Sequence, residues 1–314
     1  MANRNEIIER IVKTKQIGQD IVRREYLADL HKHTGHDTII YAVPFSLRIP
    51  GISSNAITIT YEDIQGFMTC LNGLSGKKLD LILHSLGGSP EVADQLVQYL
   101  RAKYSYIRAI VPQNAMSAAT MIACACDEIV LGKQSAIGPI DPQMTILRQN
   151  GITMSLPAHS ILADFEKAKE EIAANKDSAA VWIPKIMELP NGILNLCQQM
   201  IELSKSKVAE WLDTYMFKND TCKNGKTIAE WLGNFEEHKT HGRPINYDLA
   251  KEKGLKVTRL EDDQQLQDKV LSVYHATLVT FEMVPCVKII ENHKGIGSYV
   301  IVQVPPQMGP QVLI

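Results

Sequence analysis

The feature that most constrains this chain is a repeated alternation of short apolar runs and amphipathic stretches between residues 38 and 131. "TIIYAV" (38–43), "LDLILH" (79–84), "YIRAIV" (106–111) and "EIVL" (128–131) are too short for helices. Each is close to continuously apolar, the pattern of strands buried on both faces. Helical stretches separate them. "YEDIQGFMTCLNG" is opened by Thr60 with Asp63 in a capping-box-like pair, and "PEVADQLVQYLRAKY" by Ser89-Pro90 as N-cap and first-turn residues. A third, apolar helix starts near Met116. Strand–helix–strand alternation implies a largely parallel sheet with helices on its faces, so the fold class is α/β.

The pattern changes after residue 157. "PAHSILADFEKAKEEIAANK" and the run from Ala179 to Met216 read as helical, with a break at Pro190-Asn191-Gly192. "TIAEWLGN" and "INYDLAKEKG" are short helices, the second ended by Gly254. Residues 262 to about 282 form a last helix, and "CVKIIENHKGIGSYVIVQV" alternates on both sides of a Gly-bearing turn, as a hairpin does. Residues 4–32 read as a helical arm. The chain thus divides into an N-terminal helical arm (1–36), a central domain (37–260) and a C-terminal helix-plus-hairpin extension (261–314). Both appendages carry apolar stripes: Ile7, Ile11, Ile21 and Val22 in the arm, and Leu266, Val270, Val273 and Leu278 in the extension. Such stripes are rarely left in water, which predicts subunit contacts in a homo-oligomer, with packing on the chain's own core as the main alternative.

Charge and composition exclude several classes. A net charge of −2 with no basic face argues against a nucleic-acid partner. No run of about 18 apolar residues is present, so no transmembrane helix is expected. "MANRNEIIERIVKTKQ" is charged from the start and lacks the apolar centre of a secretory signal. Cys70, Cys124, Cys126, Cys197, Cys222 and Cys286 form no Cys-x-x-Cys pair and read as reduced thiols of a cytoplasmic protein. "HKHTGHD" places His31, His33 and His36 together, but in a polar helix-end segment that reads as solvated. No metal and no cofactor is expected.

Two loops follow consecutive strands at the same edge of the sheet: "HSLGGS" (84–89) and "PQNAMSAAT" (112–120). Ligands of open α/β sheets bind outside the carboxyl ends of the strands. Gly87 and Gly88 permit backbone angles that aim their N–H groups into a cleft. Ser117 stands at the first turn of a helix, where free N–H groups favour negative charge on its oxygen and on an oxyanion beside it. Ala118 and Ala119 leave space for a substrate backbone. The plainer reading of the same residues is a Gly-Gly turn and a small-residue helix packed on a sheet. His84, at a strand end beside the glycines, reads equally as a cleft residue or a core histidine. Asp127 and Glu128 read as solvated, and Asp141 as an Asx-turn residue, with lining of the cleft or contact with a subunit neighbour as alternatives. Cys124 and Cys126 read as small core residues.

The blocks "LILHSLGGSPEVADQLVQYL", "VPQNAMSAATMIACACDEIVLGKQSAIGPIDPQ", "LPAHSIL" and "HGRPINYDLAKEKGLKV" resemble, in order and spacing, the serine dehydrogenase proteinase family. That family is related to signal peptide peptidase A and the NfeD-type proteases within the Clp protease/crotonase fold. The resemblance covers roughly residues 38 to 257. It implies a ClpP/crotonase-like spiral of β-β-α units and a metal-free serine peptidase acting on protein or peptide substrates, peripheral membrane proteins among them. Ser117 matches the nucleophile; Gly88 and the N–H of Ala118 match the oxyanion donors, with Gly87 beside them. Two departures stand out: Leu86 replaces a Pro before the glycines, and Ala118-Ala119 replace Gly-Gly after the serine.

The position that holds the base histidine in caseinolytic Clp proteases falls at Ile140-Asp141, so that triad is not supported. The lysine base of the relatives falls near the start of "LPAHSIL", where His159 stands; Lys167 shares its helix face at i+8, and Lys169 is nearby. His159 or Lys167 is the expected base. Two rivals keep the fold and lose the chemistry: a catalytically silent assembly scaffold, and an acyl-CoA hydratase or hydrolase.

Overall fold

The four predicted runs are neighbouring parallel strands: β1 (Asp37–Ala42), β2 (Lys78–His84), β3 (Tyr106–Val111) and β4 (Glu128–Leu131). The structure, a computed structural model, describes residues 4–13, 18–45, 54–147, 151 and 153–302. Most of the Pro-, Gly- and Ser-bearing stretch ahead of Asn55, and the end of the hairpin past residue 302, lie outside the described residues. A short strand not foreseen from sequence, β5 (Val257–Arg259), extends the sheet beyond β4. On the other edge, β6 (Cys286–Asn292) runs antiparallel to β1, and β7 (Gly297–Ile301) antiparallel to β6. The order is β7-β6-β1-β2-β3-β4-β5.

The register explains the continuous apolar runs. Ile39, Leu81, Ala109, Ile129 and Val257 stand side by side across the parallel strands, and their neighbours Ile40, Ile82, Ile110 and Val130 form the adjacent row. Successive side chains point to opposite faces, so each face needs an apolar row and a cover. The first row packs with the helices Glu62–Leu71, Pro90–Lys103 and Ala118–Cys124. The second is covered by Leu27 and Leu30 of helix Gly18–Thr34 and by Leu266, Val270 and Val273 of helix Gln264–Met283.

This arrangement overturns the assignment of the apolar stripes to subunit contacts. Ile7, Ile11 and Val22 pack on Ala276 and Val279 of the C-terminal helix. The stripes cover the sheet's second face and each other, because one face of a parallel sheet would otherwise be bare. Ile21 remains partly exposed. The sheet also crosses the boundary drawn at residue 260. Arg23, fully buried, donates to Glu291 of β6 at 2.6 Å, and Arg24 donates to the other oxygen of the same carboxylate at 2.6 Å. Burial alone would raise the Glu291 carboxyl, but Arg23, Tyr299 and Arg24 hold it below its ordinary value. Arm and hairpin are thereby fastened to one another, and truncating either member of the Arg23–Glu291 pair should cost about 3–5 kcal/mol.

Among the described residues no helix is long and apolar enough to cross a membrane. Asp127 is buried instead of solvated: it accepts from Arg101, Lys218 and the Ile107 N–H, closing the amino end of β3.

Acid should loosen this core through His84. It is buried between Phe45 and Tyr274, with Nδ1 unpartnered, and burial pushes its imidazole down to about 3. The unfolded chain therefore binds a proton near pH 6.5 that the folded chain refuses, so stability is full above that pH and falls as pH drops toward 3. The slope from this residue is about 1.4 kcal/mol per pH unit. His293, pushed down to about 4 by burial and by His31, adds in the same direction. Urea midpoints should fall from pH 7 to pH 5, and His84→Leu should flatten that dependence; a midpoint constant over this range contradicts the account.

Candidate active site

The loops that leave β2 and β3 are stitched together before either reaches its helix. Ser85 N–H donates to the Asn114 carbonyl at 3.0 Å, and Met116 N–H to the Ser85 carbonyl at 2.9 Å. The next residue, Ser117, adopts φ 53° and ψ −122°, a conformation rare for any residue other than glycine. Holding it costs on the order of 1–3 kcal/mol, and such strain concentrates where a side chain must be presented. The turn joins a sheet to the helix Ala118–Cys124, the geometry of the nucleophile elbow in α/β-hydrolases. The Ser117 side chain makes no capping hydrogen bond to that helix, which leaves Oγ available.

Gly87 lies directly against this turn. A Cβ there would fall 2.6 Å from the Met116 carbonyl oxygen and 2.8 Å from the Ala118 nitrogen, so only glycine fits. Its own N–H donates to Ser85 Oγ at 3.1 Å, and its carbonyl accepts from Ile59 at 2.8 Å. Gly88 is pressed against Ile59, where a Cβ would come within 2.3 Å of the backbone nitrogen. Among the described residues no backbone hydrogen bond engages the N–H of Gly88 or of Ala118. Of the three expected donors, Gly87 is in use, and Gly88 and Ala118 have no backbone partner among the described residues.

Both loops open onto a cavity of about 650 Å³. Its walls are Thr58–Tyr61, Leu86–Pro90, Ser117, Ala118, Ile140, Pro142, Gln143, Met200, Ser204 and His241, among others. Thr145, Thr153 and Ser155 also contribute, from an antiparallel pair, Gln143–Leu147 with Thr153–Pro157, that the sequence reading did not foresee. Among the described residues this lining carries no Asp, Glu, Lys or Arg.

His241 is the candidate functional residue that sequence reasoning missed. Its Nδ1 lies 2.8 Å from Oδ1 of Asp141, which is buried, and Gln143 Nε2 donates to the other Asp141 oxygen at 2.9 Å. A carboxylate only accepts, so in the neutral ring Nδ1 carries the proton and Nε2 the lone pair. Two contacts bring the partners together across the chain. Gly138 N–H donates to Thr120 Oγ1 at 2.9 Å, tying the Gly138–Gln143 turn to the Ser117 helix. Ile137 and Ile245 exchange backbone hydrogen bonds at 3.0 and 2.8 Å, which lays the His241 segment beside that turn. The available signal was a histidine in "HGRPINYDLAKEKG", a Gly- and Pro-bearing stretch ahead of a capped helix.

The two bases expected from sequence lie elsewhere. His159 stacks on Phe235, its Nε2 is buried without a partner, and burial and then Lys205 lower its imidazole; it is not among the residues lining the cavity. Lys167 is largely exposed, 3.9 Å from Glu171 one turn on, and also outside the lining. Lys169 is exposed and paired with Glu166. His84 is a core histidine. His31 stacks on His293, with ring centroids 3.7 Å apart and planes 8° apart, near Asp37. An ion in the plane of one ring would lie well outside the plane of the other, a poor chelating geometry.

The model of the ClpP-like SDH-type serine proteinase family matches residues 57–284. An uncharacterized protein of Methanocaldococcus jannaschii is 31% identical over 201 residues, 63% of this chain and 60% of that protein. A second from the same organism is 27% identical over 200 residues, 63% of this chain and 59% of its own length. The chain thus spans about three-fifths of the length of the curated relatives it matches. Among solved structures, the 1510-N membrane-bound stomatin-specific protease is similar in a serine-to-alanine mutant: TM-score 0.39, 18% identity, 68% of this chain and 79% of that one. Its lysine-to-alanine mutant in complex with a substrate peptide gives TM-score 0.40 and 20% identity, over 68% of this chain and 75% of that one.

Proposed function

Because this chain belongs to the ClpP-like SDH-type serine proteinases, we propose that it hydrolyses peptide bonds through an acyl-enzyme on Ser117. The single observation that carries the reading is the strained Ser117 turn in a cavity that also holds the Asp141-steered His241. In acylation, His241 Nε2 takes the Ser117 proton as Oγ attacks the scissile carbonyl, and the N–H groups of Gly88 and Ala118 receive the developing oxyanion. The imidazolium then protonates the leaving amine. Water, deprotonated by the same nitrogen, attacks the ester and restores the serine. For the base, the position of His241 in the cavity favours it over His159, set against Phe235, and over Lys167, paired in solvent.

The walls also bear on the substrate. With no Asp, Glu, Lys or Arg among the described residues of the lining, a charged side chain in the substrate finds no counter-charge there and loses its hydration. We assign uncharged, extended peptide segments as the preferred substrate class. The same lack of a cation disfavours an acyl-CoA, whose phosphates call for Lys or Arg contacts. The free thiols support the reducing cytoplasm as the site of action. A fluorophosphonate should label the wild-type protein once, at Ser117, by peptide mapping. Peptides with Ala, Leu or Val flanking the cut should then be hydrolysed with kcat/KM at least about tenfold above Asp or Lys counterparts. No labelling under any condition supports the silent scaffold, and equal rates for charged peptides overturn the substrate class.

A further inference from the structure

We propose, resting on the reading of the site above, that Lys288 of β6 is a positioning residue that sets the Gly88 oxyanion donor through Asp63 and the Thr58–Thr60 segment. Lys288 is 2% exposed and lies four residues beyond the end of the family-matched span. Its Nζ donates to Asp63 Oδ1 at 2.7 Å and to the Thr58 carbonyl at 2.8 Å. The other Asp63 oxygen accepts from the Thr60 N–H at 3.0 Å and from the Tyr41 hydroxyl at 2.8 Å. The buried pair therefore grips both ends of one three-residue segment, the carbonyl before Ile59 and the amide after it.

Ile59, held between those ends, is what the glycine loop leans on. Its N–H donates to the Gly87 carbonyl at 2.8 Å, and its carbonyl accepts from the Ser89 N–H at 3.0 Å. These two bonds flank Gly88 on either side, so the orientation of the Gly88 N–H follows the position of Ile59. Thr58, Ile59 and Thr60 also line the cavity. A buried ion pair adds little net stability over an apolar pair of the same size. What it supplies is a fixed geometry: two charge-assisted bonds from one ammonium, and two acceptors on one carboxylate. An oxyanion hole depends on donors held to a fraction of an ångström, which is the demand such a pair meets.

The test uses the full chain with Lys288→Met and Asp63→Asn combined, which removes both charges and leaves none buried alone. This double variant should melt near the wild type. Fluorophosphonate labelling of Ser117 should slow by about tenfold or more, as displacement of a catalytic group does. Hydrogen exchange of residues 85–90 should accelerate. Lys288→Arg keeps the charge but is bulkier at its head; it should show smaller changes of the same kind, and it replaces the double variant if that does not fold. A folded variant with wild-type labelling and unchanged exchange at 85–90 overturns the proposal. Should the wild type itself resist labelling, the peptidase reading falls, while exchange at 85–90 still decides the positioning role.

Discussion

Ser117→Ala should give a folded protein that takes up no fluorophosphonate and loses peptide hydrolysis on the order of 10⁴-fold or more. The change removes one oxygen that makes no capping hydrogen bond to the helix, so the thermal melt should stay close to wild type. Residual hydrolysis above about a hundredth of wild type would point to a different nucleophile. Alanine does not relieve the turn, since φ 53° is as unfavourable for Ala as for Ser. Ser117→Gly does relieve it, and should be inactive yet more stable than wild type by about 1 kcal/mol, the signature of strain held for function.

His241→Gln should lower kcat by about 10²- to 10⁴-fold with little change in KM, because it removes a proton acceptor used only as the barrier is crossed. Asp141→Asn should follow it, since an amide no longer fixes which imidazole nitrogen carries the proton. His159→Gln and Lys167→Met are the contrast and should keep most of the activity, their side chains being set against Phe235 and in solvent. Stopped turnover in Lys167→Met with full activity in His241→Gln would hand the base role back to the lysine.

Local rules made the sheet legible. β1 to β4 fall within a residue of the runs that named them, because strands buried on both faces must be apolar throughout. Ser89-Pro90 capped its helix as read, with Ser89 Oγ accepting from the Val92 N–H at 3.2 Å. Of the Thr60–Asp63 box only half forms: Asp63 reaches back to the Thr60 amide, while Thr60 Oγ1 stays unpartnered. The serine and the glycines were legible because small residues in two consecutive loops are unusual. The proposed base was not. Asp141 and His241 meet through the Ile137–Ile245 bridge, and no periodicity reports a contact between segments so far apart. Lys288 was hidden for a different reason: in an alternating hairpin a lysine reads as the wet face, whereas β6 is buried along its whole length. The apolar stripes misled in the same way, since one sequence pattern serves a subunit contact and a sheet cover equally well.

The pairing of β6 with β1 also has a bearing on synthesis. Ile39 leaves the ribosome well before its partner Asn292. Until then β1 presents an unpaired edge, the kind of strand that invites aggregation and that chaperones shield. Long-range pairing of this sort slows folding, and it must wait for translation at about 5–20 residues per second. A nascent or truncated chain without residues 286–302 would hold Ser117 while lacking both the strand beside β1 and the lysine it delivers. If Lys288 sets the Gly88 donor as proposed, the proposed peptidase activity would wait for β6 to pair, which would keep a half-folded chain from cutting the unfolded chains around it.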